Sequence, residues 1–217
     1  MTNRRCILRG AAVAAAGSLT GCMGQLEELV GSATSGDRTL GDVASYEGVE
    51  VIPDKYVLAD SAERVYANNQ NNISSAEGAT YIFTHLEVSH NGDSAQKFPS
   101  SRTPDTIDLV YDGERVSESM RNDATQSYIV GGKRLTTYGH AKQEAGAVGE
   151  VYPGKTVDGW VFHEIASNFD PPKLELRIVW NQQMVGDEGE TTHKWTYTSD
   201  AEVSIENVEG DGTEISI

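Results

Sequence analysis

The sequence predicts an all-β chain folded as an antiparallel sandwich. Three observations carry this. Leu174, Leu176 and Ile178 alternate with Glu175, Arg177 and Val179, the period-two pattern of a strand with one face buried. Thr156 to Ile165 is rich in β-branched and aromatic residues, with Trp160 and Phe162 on one face and Val157, Val161 and Ile165 on the other. Turn signals at Asp112-Gly113, Gly131-Gly132 and Pro153-Gly154 punctuate the chain, and no strand–helix alternation is visible.

In chain order, residues 1–21 read as an export signal. Arg4-Arg5 precede a short alanine-rich run, Ala11 to Leu19, too weakly apolar for a membrane span. Paired arginines ahead of such a run fit a twin-arginine signal. Leu19, Thr20 and Gly21 before Cys22 form a lipobox, in which the Cys22 thiol takes the lipid. Residues 22–39 mix Gly, Ser, Thr, Asp and Glu and read as a flexible tether. The expected location is the outer face of the cytoplasmic membrane, with two or more acyl chains on Cys22 for stable anchoring.

Residues 40–200 form the expected sandwich. Val49 to Ala59 contains Pro53, which has no N–H for a ladder, so it reads as an edge strand or two short ones. Asp60 to Gly78, with Asn68-Asn69-Gln70-Asn71-Asn72, reads as a solvated loop. Tyr81 to Asn91 is a strand, with Ile82, Leu86 and Val88 facing one way and His85, Glu87 and Ser89 the other. Asp105 to Val116 is a hairpin turning at Asp112-Gly113. Residues 117–150 read as an insertion that carries a second hairpin at Gly131-Gly132, flanked by small polar residues. Pro171-Pro172 is a loop, and Thr191 to Ser199 is a last strand with Trp195 and Tyr197 on one face. Residues 201–217 are an acidic segment with room for one more strand.

The 217-residue chain carries 17 basic and 33 acidic side chains. Removing residues 1–21 takes away Arg4, Arg5 and Arg9 and no carboxylate, leaving 14 basic and 33 acidic groups. No nucleic acid is expected as a partner, because phosphate neutralisation needs clustered Lys and Arg. Carboxylates spread along the whole mature chain point to a halophilic protein, since one-signed charge costs self-repulsion unless salt screens it. The two cysteines, Cys6 and Cys22, lie at the N-terminus, so the folded region has no disulfide to form.

Three pieces of the chain carry a resemblance. They are Leu40-Gly41 with Gly48-Val49-Glu50-Val51, then Tyr81 through Asn91-Gly92-Asp93, then Tyr152-Pro153-Gly154-Lys155 through Gly159, Val161 and Phe162 to Leu174-Glu175-Leu176. Together they resemble the telokin-like, immunoglobulin-like domain of unknown function found in prokaryotic lipoproteins, and the acidity points to a haloarchaeal member. The resemblance spans residues 40–182. It implies an immunoglobulin-like antiparallel sandwich with an extra hairpin insertion, and no catalytic residues. The chain departs from the pattern at Asn91-Gly92-Asp93, where the family carries Asn-Thr-Gly, and in the length of 117–150.

Reactive constellations are sparse. His85, His90, His140, His163 and His193 show no helical i, i+4 partner and no HxH pair, and read as surface or rim residues. His85 and His163 would meet only if their strands pair. No Gly-x-Ser-x-Gly elbow is present, and processing leaves no cysteine nucleophile. Asp187-Glu188 and Glu209-Gly210-Asp211 lack EF-hand spacing, and Gly131-Gly132 lacks the phosphate-loop pattern. Tyr128, Tyr138 and Tyr152 suit either an aromatic contact surface or strand packing. The expectation is a binding or accessory module with no catalytic residue, metal or cofactor. Its partners are the membrane, through the lipid on Cys22, and a cell-surface protein or small ligand. The alternatives are a solute- or metal-binding lipoprotein and a cell-surface enzyme.

Overall fold

The computed structural model describes residues 38–67, 69–99, 107–116, 125–180 and 191–208. The signal, lipobox and most of the tether lie outside these residues. All described residues belong to one unit, 35–217. The described residues are all-β apart from one short helix and three 3-10 turns.

The middle layer is a four-stranded antiparallel sheet in the order β1 (Ala44–Tyr46), β2 (Val49–Ala59), β5 (Ala79–His90), β12 (Thr156–Ala166). Both of its faces are apolar, so both acquire a covering layer. On one face Val51, Tyr56, Ile82, Leu86, Val88, Val157, Val161 and Ile165 meet Leu109, Leu174, Leu176, Ile178, Trp195 and Tyr197. The latter come from a sheet ordered β14 (Thr192–Thr196), β13 (Leu174–Val179), β7 (Ile107–Tyr111), β8 (Glu114–Arg115). On the other face Val57, Tyr81, Phe83, Trp160 and Phe162 meet Tyr128, Val130 and Leu135. Their sheet runs β10 (Lys133–Thr136), β9 (Thr125–Val130), β3 (Ser61–Tyr66), β4 (Asn69–Ser74). A two-stranded piece pairs β6 (Gln96–Lys97) with β11 (Glu150–Val151).

Several expectations hold. Leu174, Leu176 and Ile178 are fully buried, and so are Trp195 and Tyr197. Asp112 and Gly113 both take positive φ, 49° and 86°, as a two-residue type I′ turn requires. The extra hairpin turns at Gly131-Gly132, with Val130 opposite Lys133. Its β9 strand pairs with β3, which ties it into a sheet.

Other readings are corrected. Residues 61–74 are a β-hairpin and not a loop. The polar residues of β4 face solvent while its backbone pairs with β3, so no hydrophobic period marks it. Strand β2 is central, between β1 and β5, and runs unbroken through Pro53. Proline is tolerated there because β1 pairs only as far as Val51 and because a bulge follows directly. Residues 201–208 form no strand among those described. They hold the 3-10 turn Ile205–Asn207, and Val208 sits in the second core.

Within the 117–150 insertion the chain also forms a short helix, α1 (Tyr138–Glu144), that its small polar composition does not signal. Thr137 caps it, its hydroxyl accepting from the His140 N–H at 3.3 Å. Thr137 also bridges to Trp160 on the outer side of β12, so the helix closes an edge that β12 would otherwise present.

Candidate functional site

The densest arrangement of titratable groups centres on His85. Strand β5 turns His85 to the same face as Tyr81 and Phe83. Between Pro53–Leu86 and Tyr56–Thr84 the register shifts, so that Asp54 and Lys55 of β2 stand opposite His85 alone. Such a bulge re-aims side chains. Here it brings Asp54 Oδ1 to 2.6 Å from His85 Nδ1. On the other flank, β12 places Trp160 opposite His85 and Asp158 one step along the same face. Asp158 Oδ1 lies 2.8 Å from His85 Nε2. Lys55 Nζ donates to Asp54 Oδ2 at 3.0 Å, and the Trp160 ring lies 5.0 Å from the imidazole.

One imidazole is thus gripped by two carboxylates from the two flanking strands. Burial pushes the His85 pKa down, but the hydrogen bonds from Asp158 and Asp54 outweigh it and raise the pKa above the ordinary 6.5. Burial pushes Asp54 up, and its bonds to His85 and Lys55 outweigh this and hold it below 3.8. The His85 bond lowers Asp158 likewise. In the charged state both ring N–H groups donate and both carboxylates accept. Neither ring nitrogen is left to take a proton from a nucleophile or to bind a metal. The group is built as a clamp across β2, β5 and β12.

This clamp sets a pH dependence. A raised histidine pKa contributes stability that is complete below 6.5 and lost as pH rises through the folded-state value. The lowered carboxylates contribute stability present above 3.8 and lost as pH falls. The clamp is strongest between these limits, and solvent screens its Asp158 end, whose side chain is 68% exposed. His85→Gln is expected to flatten the loss of stability between pH 6 and 9 that the wild type shows in thermal unfolding. An NMR titration placing the wild-type His85 pKa at or below 6.5 would contradict this.

His85, His90 and His193 are buried, not on the rim. His90 accepts from the Gly92 N–H at 3.2 Å and bonds Ser94 O through Nε2 at 2.7 Å, holding the turn after β5. His193 accepts the Trp180 indole N–H at 3.1 Å. Burial, aided by the charge of Arg38, pushes its pKa to about 4, so it stays neutral. His140 does have a helical i, i+4 partner, Glu144 at 3.2 Å, which was hidden because the helix was not anticipated. His163 lies opposite Ile82, three places from His85 and on the other face of the sheet, so strand pairing does not bring the two together. Among the described residues no cluster of three or more His, Cys, Asp or Glu has metal-binding geometry. Asp187-Glu188 and Glu209-Gly210-Asp211 lie outside them.

The three tyrosines form no common surface. Tyr128 is buried and stacks on Phe162 at 4.6 Å, Tyr138 is fully buried, and Tyr152 is 70% exposed. With Val148, Tyr152 exposes apolar area on the segment that follows α1. An open groove of about 360 Å³ lies elsewhere, lined by Ala76, Tyr111, Arg115, Glu164 and Ile165 among others. Three of its polar groups are engaged: Glu164 accepts from the Ala76 N–H at 2.7 Å, Arg115 pairs with Asp108, and the Tyr111 hydroxyl accepts from the Asp170 N–H.

Covering sheets on both apolar faces of an antiparallel middle sheet define the chain as an all-β sandwich. No family model matches the sequence, and neither does any curated protein. Several solved structures are similar to it. The YjhA protein of Bacillus subtilis is 10% identical, with a TM-score of 0.45, over 75% of this chain and 100% of that one. An uncharacterised β-sandwich protein of Clostridium difficile is 10% identical, with a TM-score of 0.36, over 75% and 97%. A Bacillus subtilis protein described as a candidate lipoprotein, YcdA, is 11% identical with a TM-score of 0.40. That match covers 74% of this chain and 39% of YcdA.

Proposed function

We propose that this chain is a lipid-anchored, non-catalytic binding or accessory module at the outer face of the cytoplasmic membrane. Export follows Arg4-Arg5, processing follows Leu19-Thr20-Gly21, and the lipid sits on Cys22. The telokin-like lipoprotein resemblance and a haloarchaeal host belong to the same reading. The observation that carries it is the clamp. His85, gripped by Asp54 and Asp158, spends both ring nitrogens on structure. Among the described residues, no helix is long and apolar enough to cross a membrane. The contact surface of the module is the exposed Val148–Tyr152 segment. Val148 and Tyr152 stand out there while Val151 anchors the segment in the core, and among the described residues the other large exposed hydrophobic is Val43.

The test is fractionation and mass measurement of the full-length chain in its host. The wild type is expected in the membrane fraction, its N-terminal peptide beginning at Cys22 and carrying a diacylglyceryl mass. Cys22→Ser is expected to shift most of the protein to the soluble fraction. A wild-type chain that is soluble, or that keeps residues 1–21, sinks the anchor. Crosslinking from the same membranes then compares wild type with Tyr152→Ala. A defined adduct lost in the variant supports the contact surface. Turnover of a substrate by the purified chain, abolished in His85→Ala but not in Tyr152→Ala, would favour an enzyme instead.

A further inference from the structure

Among the described residues, the outer edges of the three four-stranded sheets are guarded except one. The outer side of β12 is closed by Thr137 and α1. The outer side of β14 is closed by residues 38–40, with Thr196 N–H donating to Arg38 O at 2.8 Å and Leu40 N–H to Thr196 O at 3.2 Å. Strand β1 has three residues, β8 has only Glu114 and Arg115, and β10 opens with Lys133 and Arg134. Short length and charge are the usual protections against strand-to-strand association.

Strand β4 has none of them. Its six residues, Asn69-Gln70-Asn71-Asn72-Ile73-Ser74, contain no charge, no proline and no glycine. Its pairing with β3 runs from Ser74 opposite Ser61 to Asn69 opposite Tyr66 without a bulge. All but Ile73 are exposed. Ser75 N–H donates to Asp60 O at 2.9 Å, toward β3. Alternate residues of an antiparallel strand direct their N–H and C=O to alternate sides. Gln70, Asn72 and Ser74 therefore turn their backbone groups outward, to the open edge.

We propose that β4 pairs antiparallel with β4 of a second copy of this chain, about a two-fold axis through Asn72. Charge selects this occupant. The chain has a net charge of −16, so two copies repel wherever carboxylates face each other. The uncharged β4 edge lets them approach. A basic partner would gain nothing from this strand. Amide and hydroxyl side chains both donate and accept, so identical residues satisfy one another across an isologous contact. In this register Asn72 faces Asn72 of the partner subunit, and Gln70 faces Ser74 of the partner subunit. The sheet β10-β9-β3-β4 continues through the dyad into its counterpart. One strand pair is a small interface, so the association is weak and reversible.

The full-length chain is used, in detergent, at molar salt. Intact mass is measured first, because Asn72-Ile73-Ser74 fits the acceptor pattern for N-glycosylation. A glycan on Asn72 would cap the edge and overturn the proposal. Sedimentation is expected to show a monomer–dimer equilibrium that Asn72→Pro and Asn72→Lys each weaken at least about tenfold. Proline removes the outward N–H without touching the bonds to β3, and lysine sets two like charges face to face. Both variants keep the wild-type unfolding midpoint within about 2 °C, as a substitution at an exposed position does. Oxidation of Asn72→Cys is expected to yield a disulfide dimer several-fold above that of Tyr152→Cys. Cys6 and Cys22 are identical in both, so the difference reads the new position. A wild type that stays monomeric, or equal crosslinking at both positions, refutes the pairing. So does a dimer that survives Asn72→Pro.

Discussion

Phe83→Ala is expected to remove about 3–5 kcal/mol of stability, the usual cost of truncating a fully buried phenylalanine. The ring sits at the centre of the second core. Its own strand β5 is the middle of the molecule, and its register partners are Val57 on β2 and Phe162 on β12. The ring lies 4.9 Å from the Phe162 ring and 5.3 Å from Tyr128 on the covering sheet. Truncation opens a void between the two sheets that their backbones cannot close without breaking strand registers. The tryptophans report on both cores: Trp195 and Trp180 lie in the first, Trp160 in the second. In urea the wild type should lose both signals in one transition, because one sheet serves both cores. Phe83→Ala should move that transition to lower denaturant by the stated amount. A loss under about 1 kcal/mol would mean that the second core contributes little, and two separated transitions would mean that the covering sheet folds independently.

What the sequence disclosed follows from where apolar residues fall. β13 is legible because one face is buried and the other wet. β12 is legible for the opposite reason: Trp160 and Phe162 on one face and Val157, Val161 and Ile165 on the other foretell a strand covered on both sides. That same two-sided pattern in β5 implies a third layer, with Tyr81 and Phe83 as its signal beside the Ile82, Leu86 and Val88 face. The hairpin of β3 and β4 stayed hidden because β4 buries almost nothing. Its strand character comes from backbone pairing, which leaves no trace in hydropathy. Pro53 misled for a related reason, since a bulge makes a proline harmless in a position that pattern alone assigns to an edge.

The clamp was beyond reach of pattern. His85 is two residues from Glu87 and Phe83, and neither neighbour holds it. Its partners are 31 and 73 residues away along the chain, and one of them arrives only because β2 gains an extra residue. The available signal was a histidine on a strand that is apolar on both faces. A buried imidazole with a raised pKa needs carboxylates, and the Asp54-Lys55 pair next to Pro53 marked the place where a strand could supply one.

Gly159→Ala is expected to cost about 3 kcal/mol, at the upper end of overpacking costs, and to release α1 from β12. A Cβ at position 159 would stand 2.6 Å from Tyr138 Cα, 2.8 Å from Tyr138 N and 3.2 Å from the Thr137 carbonyl carbon. These are backbone atoms, so no rotamer change relieves the contact. Tyr138 is fully buried in the first core and cannot shift alone. The helix must lift, which breaks the Thr137–Trp160 bridge and the Lys142 bonds to Phe98 O and Pro99 O. Hydrogen exchange should then rise at residues 137–145 and along the outer edge of β12, with β13 and β14 unaffected. Ala141→Gly separates the two causes. It weakens the same helix by about 1 kcal/mol through propensity, with no clash, and should leave the β12 edge protected. If Gly159→Ala behaves like Ala141→Gly, the close approach of helix and strand does not exist. If it exposes β12 and the protein begins to aggregate, α1 is the guard of that edge, as residues 38–40 are of β14.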